Sequence, residues 1–169
     1  MVRRSLDCWP GTLGFPIPLS PILESACDKS IEAVLVEVPQ ASDTVVEALM
    51  WLRLGRLDPA HRIVQEASQG IAAYVHGMLH RLEGDFWNAN YWFRQTRDPE
   101  LGAWIREFFR KRGVSIPWKD RFDPVEFTRA CELWRGNRES VDRIPHEVLQ
   151  DLALREWEAV WENALNSLF

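Results

Sequence analysis

Apolar residues recur every three or four positions along most of the chain after residue 43, and this spacing places them on one face of an α-helix. The pattern is clearest around 72–94, where one helix is predicted to end at Glu83. Gly84 can adopt the left-handed conformation that terminates helices. The predicted buried stripe of this helix consists of Ala72, Val75, Leu79 and Leu82.

A second helix is predicted to follow at once, with the carboxylate of Asp85 as its cap. Its inner face would contain Phe86, Ala89, Asn90 and Phe93. Because the turn between the two helices is so short, they must be antiparallel neighbours in a helical hairpin.

Similar start signals predict five more helices. Thr44 begins the first with capping-box spacing to Glu47. Pro145 lies in the first turn of the last, a long helix. An aspartate cap followed by proline begins each of the other three, at Asp58–Pro59, Asp98–Pro99 and Asp123–Pro124. The predicted stops are Gly55, Gly70, Gly113 and Gly136. Since every well-marked element is helical, we predict an all-α fold of about seven helices.

The first 43 residues are interrupted by proline and glycine and show little regular spacing. Ser20–Pro21 could begin a short helix that runs to Cys27. Residues 31–38 are rich in branched side chains and could form a strand, but no later segment offers a strand to pair with it. We therefore predict an irregular N-terminal arm, packed on the helices, with one or two short helices as an alternative.

An internal repeat is visible at a displacement of about 29 residues. It aligns Ala48, Gly55, Leu57, Ala60 and Val64 with Gly77, Gly84, Phe86, Ala89 and Phe93. Over residues 44–97 this pattern of small, turn and apolar residues resembles the tetratricopeptide helical repeat. The resemblance implies two stacked helical hairpins. The chain departs from the family pattern at Trp51 and His80, where one bulky apolar position is expected.

A longer motif, HxxxHRxEGDxxNAxYWxR, covers His76 to Arg94. Together with the Asp123–Pro124 helix start and the closing 156–158 segment, it resembles a group of uncharacterised soluble helical proteins over residues 44–165. This resemblance implies an architecture and carries no activity with it.

The length of 169 residues suits a single domain, 1–169. Within it we distinguish the arm (1–43), two repeat-like hairpins (44–97) and the C-terminal helices (98–169). Nine tryptophans are unusually many, and they are expected to be core anchors or, alternatively, aromatic walls of a binding site.

The net charge of −5, with both signs interspersed, argues against a nucleic-acid partner. No apolar run approaches the roughly 18 residues that a membrane span needs. Three widely spaced cysteines, without a CxxC pair, argue against a disulfide framework. These features predict a cytoplasmic protein.

Two histidines four residues apart, His76 and His80, share one helix face and could bind a single metal ion such as zinc. His61 on the preceding helix is the expected third ligand, if the two helices pack with those faces together. Glu83 lies too far along the helix from His76 to be a ligand with it, and could join His80 only by reaching back. Alternatively, the histidines bind no metal and hydrogen-bond to Asn88, Tyr91 or backbone carbonyls.

The same region could bind a small acidic ligand or a peptide, with arginines as forked donors and Trp87 or Trp92 as an apolar wall. The candidate ligand-binding residues are His80, Arg81, Asp85, Asn88, Tyr91 and Arg94. Alternatively, Arg81 and Arg94 form a surface network with the acidic residues Glu83, Asp85 and Asp98. The acidic residues Glu156, Glu158 and Glu162 are interpreted as a solvated face, with one member near the tryptophans.

No cysteine has a neighbour that would favour a thiolate, and the sequence contains no nucleophile, phosphate or dinucleotide motif. We therefore expect a non-catalytic helical-repeat module, without a cofactor, that binds a partner segment or a small acidic ligand near residues 76–94. One alternative is a metal-dependent enzyme on His61, His76 and His80, with Glu83 or Asp85 as acid or base through a bound water. The other is a purely structural polar cluster in a protein that dimerises through exposed tryptophans.

Overall fold

A computed structural model of the protein describes residues 28–168, apart from 38, 43, 97, 119–120 and 137–143. The described residues form eight α-helices and one short 3-10 helix, Pro39–Ala41, and contain no strand. The helices are α1 (Asp28–Glu37), α2 (Val45–Arg53), α3 (Leu57–Val64), α4 (Gly70–Glu83), α5 (Phe86–Gln95), α6 (Pro99–Lys111), α7 (Pro124–Arg135) and α8 (His146–Leu168). The predicted all-α fold is confirmed, and seven of these helices follow residue 44.

Within the N-terminal arm, residues 28–37 form the helix α1 rather than a strand, which agrees with the alternative of one or two short helices. Ile31 and Leu35, one helical turn apart, pack against the core, whereas Val36 points away from it. Contact with the rest of the fold thus favours helix in a segment whose branched residues favour strand. The short helix predicted from Ser20 to Cys27 lies outside the described residues.

Four of the predicted helix starts are confirmed by their capping hydrogen bonds. The side chains of Thr44, Asp85, Asp98 and Asp123 each accept a hydrogen bond from a backbone amide in the first turn of α2, α5, α6 and α7. These bonds satisfy amides that have no partner within the helix.

The start of α3 was predicted wrongly. Asp58 is not its cap, because α3 already begins at Leu57 and the residue before it, Arg56, makes no side-chain cap. The turn from α2 is tight: Gly55 has φ 71°, and the amide of Arg56 donates to the carbonyl of Trp51 at 2.9 Å. The chain therefore enters the helix before it reaches Asp58. α3 also ends at Val64 rather than near Gly70, which begins α4.

Helix α4 lies at the centre of the fold, where it contacts α2, α3 and α5. Its nine consecutive residues from Ala73 to Arg81 are all buried. The predicted four-residue stripe was therefore too narrow, since a helix with neighbours on several sides has no solvated face. Gly77 permits the closest approach of α5: a Cβ placed there would lie 2.9 Å from Cε1 of Phe93.

The remaining helices close around α4. Helix α3 packs on α4, α5 packs on α7, and the long α8 contacts α2, α6 and α7. Trp157 and Trp161 on α8 are buried, as expected for core anchors, whereas Trp87 on α5 is 79% exposed. Among the described residues, no helix is both long and apolar enough to cross a membrane.

Candidate metal centre

Three histidines from two helices meet at the contact between α3 and α4. His61 lies on α3, and His76 and His80 lie one turn apart on α4. One ring nitrogen from each residue can be chosen so that all three lie within 4.8 Å of one another. Nε2 of His61 is 3.0 Å from Nε2 of His76, and the rings of His76 and His80 stack at 4.6 Å. The structure thus brings together the three residues that the sequence named as metal ligands.

The cluster lies at the edge of the core. His76 and His80 are buried, while His61 is half-buried and gives the cluster a side that faces solvent. The indole of Trp92 stacks on the ring of His76 with centroids 4.3 Å apart, so α5 covers one face of His76. Packing therefore holds the three histidine side chains in place, and solvent reaches them from the side of His61.

Glu83 and Asn88 surround His80. Oε2 of Glu83 lies 2.8 Å from Nδ1 of His80, so the carboxylate can accept a hydrogen bond from a protonated Nδ1. Nε2 of His80 then carries the lone pair of the ring, and the side-chain amide of Asn88 can donate a hydrogen bond to it. The side-chain nitrogen of Asn88 is 3.2 Å from this Nε2. Glu83 therefore does reach back toward His80, and its carboxylate contacts the Nδ1 side of the imidazole ring.

Burial favours the neutral ring at His76. Desolvation, followed by the nearby charges of His80 and His61 when protonated, lowers the pKa of His76 to about 4. The ring is therefore neutral at physiological pH, which is the form that binds metals. Its Nδ1 is buried and has no hydrogen-bond partner among the described residues.

The candidate acidic-ligand site does not assemble as predicted. Arg81 is 3% exposed, and its guanidinium pairs with the carboxylate of Glu156 on α8 and lies 4.3 Å from the ring centre of Phe127. Tyr91 and Arg94 lie on the exposed surface of α5 instead. Arg81 therefore cannot act together with them, and the surface network suggested for it with Glu83, Asp85 or Asp98 is also wrong.

The other residues of that predicted set have separate places. Asp85 caps α5, because its Oδ1 accepts a hydrogen bond of 3.1 Å from the backbone amide of Asn88. Asn88 and His80 contact each other beside the histidine cluster. The structure therefore divides the predicted set among the core, a helix cap, the histidine cluster and an exposed helix surface.

Sequence reasoning missed a buried polar cluster of Tyr74, Arg81 and Glu156. The interpretation of Glu156 as part of a solvated face was wrong, because its side chain is fully buried. The hydroxyl of Tyr74 donates to Oε1 of Glu156 at 2.7 Å, and Arg81 donates to both carboxylate oxygens. One sequence signal was available: Glu156 occupies an inward position of the α8 apolar pattern, between Leu152 and Val160.

Cys131 lies beside this polar cluster. Burial raises the pKa of its thiol to about 12, although the positive charge of Arg81 acts in the opposite direction. A thiol with so high a pKa is protonated at physiological pH and is a poor nucleophile. Cys131 therefore contributes no catalytic group.

Comparisons with known protein families, with curated proteins and with solved structures found no match to this chain. Functional conclusions therefore depend on the geometry of the chain itself.

Proposed function

We propose that this protein binds one zinc ion through His61, His76 and His80. The observation that carries the proposal is the convergence of three imidazoles from α3 and α4, with a carboxylate behind one of them. Carboxylate–histidine–metal chains of this kind orient the ligating ring and increase its basicity. Within the part of the chain that the structure describes, no other cluster of three potential metal ligands was found.

The dimensions support zinc. Three nitrogens bound tetrahedrally at about 2.0 to 2.1 Å from zinc lie about 3.4 Å from one another. The pair His61 and His76 is already at 3.0 Å, and the widest separation within the cluster is at most 4.8 Å. Modest side-chain rotation, chiefly of the half-buried His61, would bring the three nitrogens to that spacing.

The chemistry of such a site follows from its ligand number. Three protein ligands leave the fourth tetrahedral position for water or substrate, and zinc lowers the pKa of a bound water to about 7. Glu83 would hold His80 in its orientation, while the side-chain amide of Asn88 would turn away from Nε2 of His80 to admit zinc. The site supports metal-assisted hydrolysis as the reaction class, in preference to a purely structural zinc site with four protein ligands.

The test is the zinc content and zinc affinity of the tag-free protein. We expect about one zinc per chain by elemental analysis, and a loss of affinity of at least about a hundredfold in His61→Ala and in His76→Ala. Removing a ligand should weaken binding at least as much as removing an outer-shell partner, which typically weakens it about 10- to 100-fold. Glu83→Gln should fall within that range.

His146 supplies the matched control, because it is the one remaining histidine of the four and packs on Trp134, away from the cluster. His146→Ala should leave zinc affinity unchanged. Zinc-free protein that binds no added zinc at micromolar concentration would overturn the proposal, as would equal losses in His146→Ala and His61→Ala. Circular dichroism of each variant establishes that a lost site is not a lost fold.

A second candidate function is docking of an acidic peptide segment on α5. Trp87 and Tyr91 are exposed one turn apart, with their rings stacked 6.2 Å apart, and the exposed Arg94 follows almost one turn later. Exposed aromatic residues beside an arginine are typical of interaction surfaces. These three residues retain the exposed part of the site predicted from the sequence.

Peptide display tests this second function. Selection on the wild-type protein should enrich acidic peptides with apolar residues, and Arg94→Glu should weaken their binding by about tenfold, since like charges then oppose each other. Arg62→Glu, at an exposed arginine of α3, is the matched charge reversal and should have no effect. Peptides without acidic residues, or peptides that bind Arg94→Glu as tightly as the wild type, would refute this function.

A further inference from the structure

A cavity of about 150 Å³ lies between α4, α5 and α6, and none of the three clustered histidines lines it. Its lining is mainly apolar: Tyr74, Phe93, Leu101, Ile105 and Phe122. An apolar cavity of about this volume can hold a molecule as large as benzene. The lining side chains are buried core residues, so the cavity belongs to the folded framework.

A more open groove of about 410 Å³ adjoins the cavity along α6. Arg106 and Phe122 line both spaces and so mark the place where they meet. A Cβ added to Gly102 would lie 3.2 Å from Nη1 of Arg106, which shows that the guanidinium lies over Gly102 at the cavity wall. A cation therefore lies at the boundary between an apolar cavity and an open groove.

The charges along the groove favour an anion. Arg106 and Arg121 are exposed, and neither forms an ion pair with another described residue. The acidic group in the groove, Glu107, is already neutralised by Arg110 through bonds of 2.7 and 2.8 Å. Asp98 also lines the cavity, but its Oδ1 already accepts hydrogen bonds from two backbone amides as the cap of α6. The two arginines therefore outnumber the one carboxylate without an ion-pair partner at the site, although the chain as a whole carries −5.

We propose that this groove binds an organic carboxylate whose apolar body is about the size of a benzene ring. The ring enters the cavity between Phe93 and Ile105, and the carboxylate accepts hydrogen bonds from Arg106, with Arg121 adding charge. Arginine suits this role because its forked donors match both oxygens of a carboxylate. The two halves of the ligand correspond to the two halves of the site.

The probe is 3-phenylpropionate, titrated into the full-length protein and followed by NMR chemical shifts and calorimetry. A ligand of this size should bind with a dissociation constant on the order of 1 mM or tighter. Two comparators each lack one half of the ligand: 3-phenylpropan-1-ol has no charge, and propionate has no ring. Each should bind at least about tenfold more weakly, since each forfeits either the charged hydrogen bonds or the apolar burial.

Two variants test the two halves of the site. Arg106→Gln should weaken the binding of 3-phenylpropionate about tenfold and bring its affinity close to that of 3-phenylpropan-1-ol. Gly102→Leu should block the cavity without harming the fold, because leucine favours helix and only the flexible end of Arg106 has to move aside. Because that movement also affects the carboxylate contact, the loss in Gly102→Leu should exceed the loss in Arg106→Gln. Arg62→Gln, at an exposed arginine of α3, removes the same charge elsewhere and should change nothing.

Three results would overturn the proposal. One is the absence of binding at several millimolar 3-phenylpropionate. Another is equal affinity for the alcohol and the carboxylate, which would assign no role to Arg106. The third is full binding by Gly102→Leu, which would place the ring outside the cavity. None of these measurements involves zinc, so the outcome is independent of the metal site.

Discussion

Glu156→Gln is expected to lower the free energy of unfolding by about 3 to 5 kcal/mol, because it leaves the positive charge of Arg81 buried without a counter-charge. Both side chains are almost inaccessible, with exposed fractions of 0% for Glu156 and 3% for Arg81. The substitution keeps the shape of the side chain. The expected loss therefore comes from the missing charge rather than from a cavity.

The pKa shifts of Arg81 and Tyr74 also indicate that the Glu156 carboxylate interacts strongly with both side chains. Burial pulls the pKa of Arg81 down, but the Glu156 carboxylate outweighs it and the pKa is raised overall. Burial and then the same carboxylate raise the pKa of Tyr74, so its hydroxyl stays protonated and remains a donor. The carboxylate is thus the acceptor on which both neighbours depend. Its removal should affect the contact between α4 and α8 as a whole.

Urea unfolding followed by circular dichroism measures the loss. Glu158→Gln is the matched control, since Glu158 is two residues away on α8 and pairs with Arg155 at 2.9 Å in a more solvated setting. It should change the free energy of unfolding by less than about 1 kcal/mol. Arg81→Met combined with Glu156→Leu and Tyr74→Phe should recover most of the stability, because both buried charges and the hydroxyl that donates to Glu156 are then absent. Equal losses in the two glutamine variants would contradict the interpretation.

Trp157→Ala is expected to lower the free energy of unfolding by about 3 to 5 kcal/mol, which is the range for removing a large buried aromatic residue. Trp157 is buried on α8, where its ring stacks on Trp161 with centroids 5.0 Å apart. Its indole Nε1 donates to the carbonyl of Leu49 on α2 at 2.9 Å. Alanine would leave a cavity between two helices that are far apart in the sequence.

Trp157→Phe separates the ring from its hydrogen bond. Phenylalanine retains most of the apolar contact but cannot donate to Leu49, so a loss of about 1 to 2 kcal/mol is expected. Trp87→Ala removes the same side chain from an exposed position and should change the free energy of unfolding by less than about 0.5 kcal/mol. A melting temperature for Trp157→Ala close to that of Trp87→Ala would refute the assignment of Trp157 as a core anchor.

The predicted placement of the histidines was correct in the part that depends on local spacing. His76 and His80 share a face because they are four residues apart on one helix, and that relation needs no knowledge of the tertiary fold. His61 was a conditional prediction, which required α3 and α4 to present those faces to each other. The structure meets that condition, since the ring nitrogens of His61 and His76 are 3.0 Å apart.

The partner of Arg81 could not be predicted in the same way. Local reasoning offered the acidic residues nearest in the sequence, whereas Glu156 is 75 residues away. Which charge meets Arg81 depends on how α8 crosses α4, and no periodicity within either helix specifies that crossing. The same limitation applies to the cavity beside Phe93, which exists only because α4, α5 and α6 meet there.

The sequence by itself determined the helical class and most helix starts, because capping bonds such as those of Asp98 and Asp123 form within a single turn. It also determined the shared face of His76 and His80. Tertiary structure alone decided that residues 28–37 form α1, that residues 73–81 of α4 are buried, and that Glu156 lies inside. The physical reason is that burial and charge pairing depend on contacts between distant segments, whereas capping and helical periodicity act between neighbours.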